Sequence, residues 1–262
     1  MSLNAAGSTG PVRWDVRDGV ATIELHRPEA ANALDLPTAI ALDDAVVAVS
    51  SDSSVHAVLL LGEGRHFCAG GDVTAMAAAA DRAGYVLDLA RTAHRAVLGI
   101  AALDVPVVAA VQGAAAGAGL ALTLMADVVL AGASATFRTA YSRVGLTPDC
   151  GTSWFLPRIV GLRRALELTL TDRRLTAAEA LEWGLVTSVG PDQELSDTAR
   201  RIAAQLAAGP APALGTTRRL LRDGLTRGLA EQLDIEAVTI SQASLSPAAE
   251  ASLSAFAGNS RQ

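Results

Sequence analysis

Three glycines, Gly113, Gly117 and Gly119, interrupt an otherwise apolar run from Val105 to Asp127. The β-branched part before Gln112 reads as a buried strand and the part after the glycines as a buried helix, so the chain passes from strand through a tight turn into helix. A helix opening near Gly117 or Ala118 aims unpaired N–H groups into the gap. Such donors can hold a phosphate, a carboxylate or a developing oxyanion. Counting from Gly117, a dinucleotide turn would need glycine where Leu122 stands, which argues against a nucleotide site. A second glycine-bearing turn is Arg65-His66-Phe67-Cys68-Ala69-Gly70-Gly71-Asp72. A carboxylate placed for proton transfer is Asp149, in the loop Val144 to Gly151, although Pro148-Asp149-Cys150-Gly151 also reads as a type I turn whose aspartate bonds its own backbone. His94 shares a helix face with Leu87, Ala90, Val97 and Ala101, a position that suits a hydrogen-bonded core histidine as well as a base.

Composition bounds what these groups can serve. Half of the 262 residues are hydrophobic, enough for a large core in one α/β domain. The formal charge of −6 argues against general nucleic-acid binding yet leaves room for an anionic ligand held by local donors. Cys68 and Cys150 have no metal-ligand spacing and make no disulfide framework, so each reads as a small buried hydrophobe. Gln112 and the glycines sit in the middle of the apolar run, and no Lys or Arg bias flanks it, so a buried core segment fits it better than a membrane span. A cytoplasmic protein without a membrane segment is expected, with a disordered tail over residues 1–11.

The elements that must carry these residues alternate. Val12 to Leu25 reads as a hairpin turned at Arg17-Asp18-Gly19, and a helix follows over about Pro37 to Ser50. Val55 to Leu61 is a buried strand, an alanine-rich piece follows, and a helix runs from about Tyr85 to Ala102. Beyond the glycine helix come short strands at Val128 to Ala131 and Ala135 to Phe137, then helices over Leu162 to Thr171, from the capping box at Thr176 to Glu179 up to Gly184, over Asp197 to Ala208, and onward to Phe256 with breaks near Gly228 and Pro247. Arg163-Arg164 and Arg218-Arg219 read as solvated helix faces. Parallel βαβ units with a helical appendage are the economical architecture.

Several segments in fixed order carry a resemblance. His26-Arg27-Pro28 with Asn32-Ala33-Leu34, the turn Phe67 to Asp72, and the glycine helix start within Gly113 to Asp127 resemble motifs of the crotonase superfamily of enoyl-CoA hydratases and isomerases. The resemblance implies an α/β spiral of ββα units over residues 12–190 and a helical C-terminal region over 191–262 used for homotrimer or hexamer assembly. It implies a coenzyme A thioester as substrate, with no further cofactor and no metal. By position, the N–H groups of Gly71 and Ala118 would form the oxyanion hole for the thioester oxygen. Arg27, Ala69, Asp72, Tyr141 and Phe256 would touch substrate, Arg27 as the nearest cation to the phosphates.

Departures from the family pattern select the chemistry. The two glutamates that add water in hydratases are replaced by Ala121 and Tyr141, neither able to do a carboxylate's work. The run Val144 to Arg158 is similar to the ring-epoxyphenylacetyl-CoA and Δ3,Δ2-enoyl-CoA isomerases, where an aspartate at the Asp149 position moves a proton within the acyl group. His94 and Asp149 also match, by position, the histidine and nucleophilic aspartate of the 4-halobenzoyl-CoA dehalogenases. A CoA-binding scaffold without turnover is the third reading.

Overall fold

The computed structural model describes residues 10–259, so most of the tail expected over 1–11 lies outside the described residues. Chain order is β1 (Val12–Arg17), β2 (Val20–Leu25), α1 (Leu36–Ser51), β3 (Ala57–Gly62), α2 (Val73–Ala78), α3 (Arg82–Ala102), β4 (Val107–Val111), β5 (Ala114–Ala116), α4 (Ala118–Met125), β6 (Val128–Gly132), β7 (Thr136–Arg138), α5 (Thr152–Val160), α6 (Leu162–Leu170), β8 (Leu175–Thr176), α7 (Ala177–Glu182), β9 (Ser188–Gly190), α8 (Leu195–Ala207), α9 (Ala211–Asp223), α10 (Leu229–Ala243) and α11 (Pro247–Asn259).

Six strands form one sheet in the order β1-β2-β3-β4-β6-β9, parallel except for the antiparallel β1/β2 hairpin. Its turn places Asp18 and Gly19 at positive φ, the mirror-image turn that matches strand twist. A smaller sheet, β5-β7-β8, lies beside it. β3 and β4 are buried almost throughout, which explains their unbroken valine and leucine composition. One face packs on α1, α3 and α4. The other is covered by Leu195, Ala199 and Ala203 of α8, against Leu59, Leu61, Val108, Ala110 and Leu130. The region beyond residue 190 therefore supplies one layer of the main sheet's covering.

Differences from the sequence expectations have local causes. α3 begins at Arg82 because Asp81 caps it, accepting from the Gly84 N–H at 3.0 Å, and the alanine-rich piece holds α2, capped by Asp72 through the Ala75 N–H. Ala114–Ala116, too short to show periodicity, pairs with Thr136–Arg138 as a strand. α5 forms despite Pro157 in its interior. Both arms of the capping box at Thr176 and Glu179 are made.

The Arg218-Arg219 reading is corrected for its first member. Arg218 is buried, and its guanidinium donates to Asp127 Oδ2 (2.7 Å) and to the carbonyls of Ile100, Ala101 and Leu103 at the end of α3. Burial pulls its proton affinity down, and the Asp127 carboxylate opposes that. Arg219, half-exposed, pairs with Asp104 at the surface.

Gly119 shows how tightly the glycine turns meet. A Cβ there would lie well inside contact distance of the Cys68 carbonyl oxygen, and the obstacle is backbone. Gly119→Ala is expected to cost about 1–3 kcal/mol through forced backbone shifts. A thermal unfolding scan checks this, and a variant melting with wild type would refute it.

Candidate active site

Two turns meet at the carboxyl ends of the parallel strands. Cys68 joins β5 through a parallel bridge to Ala115, its N–H donating to Ala114 O (3.1 Å) and its carbonyl accepting from Ala116 N–H (2.9 Å). Gly70 is then close enough that a Cβ would come within 2.9 Å of the Ala116 oxygen. On either side of Gly71, Leu34 bonds the chain: its N–H donates to Gly70 O at 2.7 Å and its carbonyl accepts from Asp72 N–H at 2.8 Å. Gly71's own N–H donates to no acceptor among the described residues. Gly117 adopts φ 51° and ψ −121°, a conformation open to glycine, and turns the chain into α4. Ala118 is the first residue of that helix, so its N–H has no intrahelical partner. Two adjacent turns thus each present one unpaired backbone donor, the arrangement an oxyanion requires.

Asp149 lies beyond β7 at the start of α5. The Thr152 N–H closes a turn onto Asp149 O (2.9 Å), with Cys150 at φ 49° and Gly151 at φ 77°. The type I turn expected from Pro-Asp-x-Gly is thus shifted by one residue, with both central residues left-handed. Cys150 tolerates that φ because its N–H is held at 3.1 Å by His94 Nε2 while its side chain is buried. Nε2 therefore carries the lone pair, and the ring proton sits on Nδ1. His94, Asp149 and Cys150 bring one ligating atom each within 4.8 Å of one another. A metal at Nε2 would meet the Cys150 amide proton, so the trio is poorly built for an ion.

Tyr141 donates its hydroxyl to Asp149 Oδ1 at 2.8 Å and lies 3.3 Å from Thr152 Oγ1. Burial, and then the Asp149 charge, raise its phenol well above the ordinary range. Burial also pushes the Cys150 thiol up, followed by Asp149 and last by Cys68. Cys68 is pushed up to about 12 by burial, so both thiols stay neutral. Ala121 is fully buried in α4.

The other residues expected to touch substrate lie in the following places. Arg27 donates to Ala33 O (3.1 Å) and Asp72 Oδ2 (2.9 Å), and lies 3.2 Å from Asp35. Asp72 is burdened by burial but held below its ordinary range by the Ala75 N–H and Arg27, so the two side chains are paired beside the Gly71 turn. Ala69 is exposed, its N–H on Ala31 O. Phe256 is on α11 at the surface. Sequence reasoning missed Thr152, and gave Asn32 no role of its own. Asn32 is wholly buried at φ 55°, accepts from Arg27 N–H and donates to the carbonyls of Glu63, His66 and Phe67, pinning the first turn from beneath. An asparagine before the apolar pair Ala33-Leu34 was the available signal.

The chain matches the family profile described as enoyl-CoA hydratase/isomerase over residues 15–261. It is 40% identical over 225 residues to the 1,2-epoxyphenylacetyl-CoA isomerase of Escherichia coli (strain K12), covering 84% of this chain and 85% of the relative. It is 36% identical to 4-chlorobenzoyl coenzyme A dehalogenase-2 of an Arthrobacter species, over 81% of this chain and 78% of that protein. A crystal structure of enoyl-CoA hydratase from Mycobacterium smegmatis superposes with a TM-score of 0.89 at 31% identity, covering 95% of this chain and 96% of that one.

Proposed function

Since the chain belongs to the enoyl-CoA hydratase/isomerase family and has the crotonase fold, we propose that it isomerises an acyl-CoA, shifting a double bond or rearranging a ring through a thioester enolate. Asp149 is the single acid/base, taking a proton from one carbon and returning it to another. The Gly71 and Ala118 N–H groups hold the enolate oxygen, each contributing a few kcal/mol as charge develops there. The observation that carries this reading is the pairing of Asp149 with the Tyr141 hydroxyl, with buried Ala121 at the other glutamate position, so that one carboxylate stands where hydration needs two. The likeness to an isomerase of epoxyphenylacetyl-CoA supports the same class. The reading extends to assembly and place: a homotrimer or hexamer would cover Leu221, Leu225, Leu229 and Leu233, all exposed on or next to α9 and α10. A cytoplasmic location accompanies it, and among the described residues no helix is long and apolar enough to cross a membrane.

The test is proton exchange: protein in deuterated water with 3-enoyl-CoA and 2-enoyl-CoA thioesters, followed by NMR. Deuterium at the α or γ carbon, or a shift of the bond from position 3 to 2, is expected. Binding of thioesters of every chain length without exchange would end this reading. The dehalogenase reading ranks second, favoured by His94 beside Asp149 and by the Arthrobacter relative. The lone pair of His94 Nε2 is already taken by the Cys150 N–H, which leaves that nitrogen no water to activate. Halide release from 4-halobenzoyl-CoA tests it, and failure of both leaves the scaffold.

A further inference from the structure

We infer, resting on the isomerase reading above, that Tyr141 is the positioning residue of the Asp149 carboxylate, occupying Oδ1 so that the other oxygen alone exchanges protons with one face of the acyl chain. A carboxylate offers two oxygens and about four lone-pair directions, and its terminal torsion is broad and two-fold. Left in a loop, either oxygen could serve as base. Here the phenol comes from the segment after β7, and Thr152 comes from the first turn of α5. The hydroxyl sits 2.8 Å from Asp149 Oδ1 and 3.3 Å from Thr152 Oγ1, while the Thr152 N–H closes the Asp149 backbone turn at 2.9 Å. Tyr141 and Thr152 are both buried, which shields the donor side of the bond while the carboxylate is half-buried. The phenol keeps its proton, because burial and the facing carboxylate oppose its ionisation. It is a fixed donor. The other groups facing the carboxylate are the Cys150 thiol, kept neutral by burial, and His94, whose Nε2 is held by the Cys150 amide.

The step balances without a co-reactant. The C–H bond next to the thioester breaks as an O–H bond forms on the second oxygen of Asp149, the electron pair passing into the enolate. The O–H bond then breaks as a new C–H bond forms two carbons along, and the enolate returns its electrons to the shifted double bond. Throughout, the Tyr141 bond stays on Oδ1.

Tyr141→Phe and Thr152→Val are compared with wild type in the exchange assay, alongside NMR of protein carrying a ¹³C label at the tyrosine Cζ. The chain has two tyrosines, so the spectrum has two lines to assign. Tyr141→Phe is expected to lower kcat about 10- to 100-fold with KM unchanged. Deuterium should enter one prochiral position in wild type and both in the variant. The acid limb of its rate profile should move to higher pH, because a lost donor disfavours the ionised carboxylate. Thr152→Val should move in the same direction by less. In wild type the Tyr141 line should shift with pH along that acid limb, and in Asp149→Asn it should be flat. A Tyr141 line with the same pH response in Asp149→Asn, or a Tyr141→Phe enzyme with wild-type kcat, pH profile and stereochemistry, would overturn the inference. No exchange by the wild type while the Tyr141 line still follows Asp149 would instead overturn the isomerase reading.

Discussion

Asp149→Asn is expected to lower the proton-exchange and isomerisation rate by about 10²- to 10⁴-fold, the range that a positioned acid/base contributes. The amide keeps the shape of the carboxylate but cannot take a proton from carbon. The contacts that fix the turn survive the change. The Thr152 N–H bonds the backbone oxygen of residue 149, the Cys150 N–H bonds His94, and the Tyr141 hydroxyl can still donate to an amide oxygen. Thioester binding and thermal unfolding should therefore match wild type while turnover disappears, which separates loss of chemistry from loss of structure. NMR exchange and calorimetric titration with a non-reactive acyl-CoA are the paired measurements. A variant that keeps more than a tenth of the wild-type rate would remove Asp149 from the reaction.

Arg218→Ala is expected to cost about 3–5 kcal/mol of stability, because it takes from the half-buried Asp127 carboxylate one of its cationic partners and leaves the Ala101 and Leu103 carbonyls without their donor. For a chain of this size that corresponds to a fall in melting temperature of roughly 10 °C. Asp127 is held from three sides, by Arg218, by Arg222 at 2.7 Å and by the Val107 N–H at 2.8 Å. Removing Arg218 thus loosens α9, the end of α3 and the start of β4 together. Arg219→Ala is the internal control: its pair with Asp104 is solvent-exposed, and such pairs contribute 0–1 kcal/mol. Equal melting of Arg218→Ala and wild type would refute the assignment.

These two neighbouring arginines show why helix patterning underdetermined the C-terminal region. Nothing in their residue type separates them. Gly215 lets α9 approach the Asp104 backbone so closely that a Cβ would collide with it, and that contact buries Arg218 while its neighbour stays in water. Burial there follows from what the helix docks against, which periodicity cannot express. α5 was similarly hidden, since Pro157 is a breaker by local rules and is carried here within the packed helix.

Much was legible without coordinates. The unbroken apolar strands required burial on both faces, the Asp-Gly pair set the first hairpin, and the glycines of the two turns marked where backbone must approach backbone. The residue types at Ala121 and Tyr141 left no carboxylate at either of those two positions, since no fold can make alanine or tyrosine a carboxylate base. Tertiary structure alone decided how the Asp149 carboxylate is held: a phenol eight positions earlier in sequence, a threonine opening the next helix, and a histidine from α3 gripping an amide in a left-handed turn. It also decided that Arg27 and Asp72 spend their charges on each other. Local patterns report which face of an element is apolar, whereas hydrogen-bond partners depend on which elements meet, and that is set by packing over the whole chain.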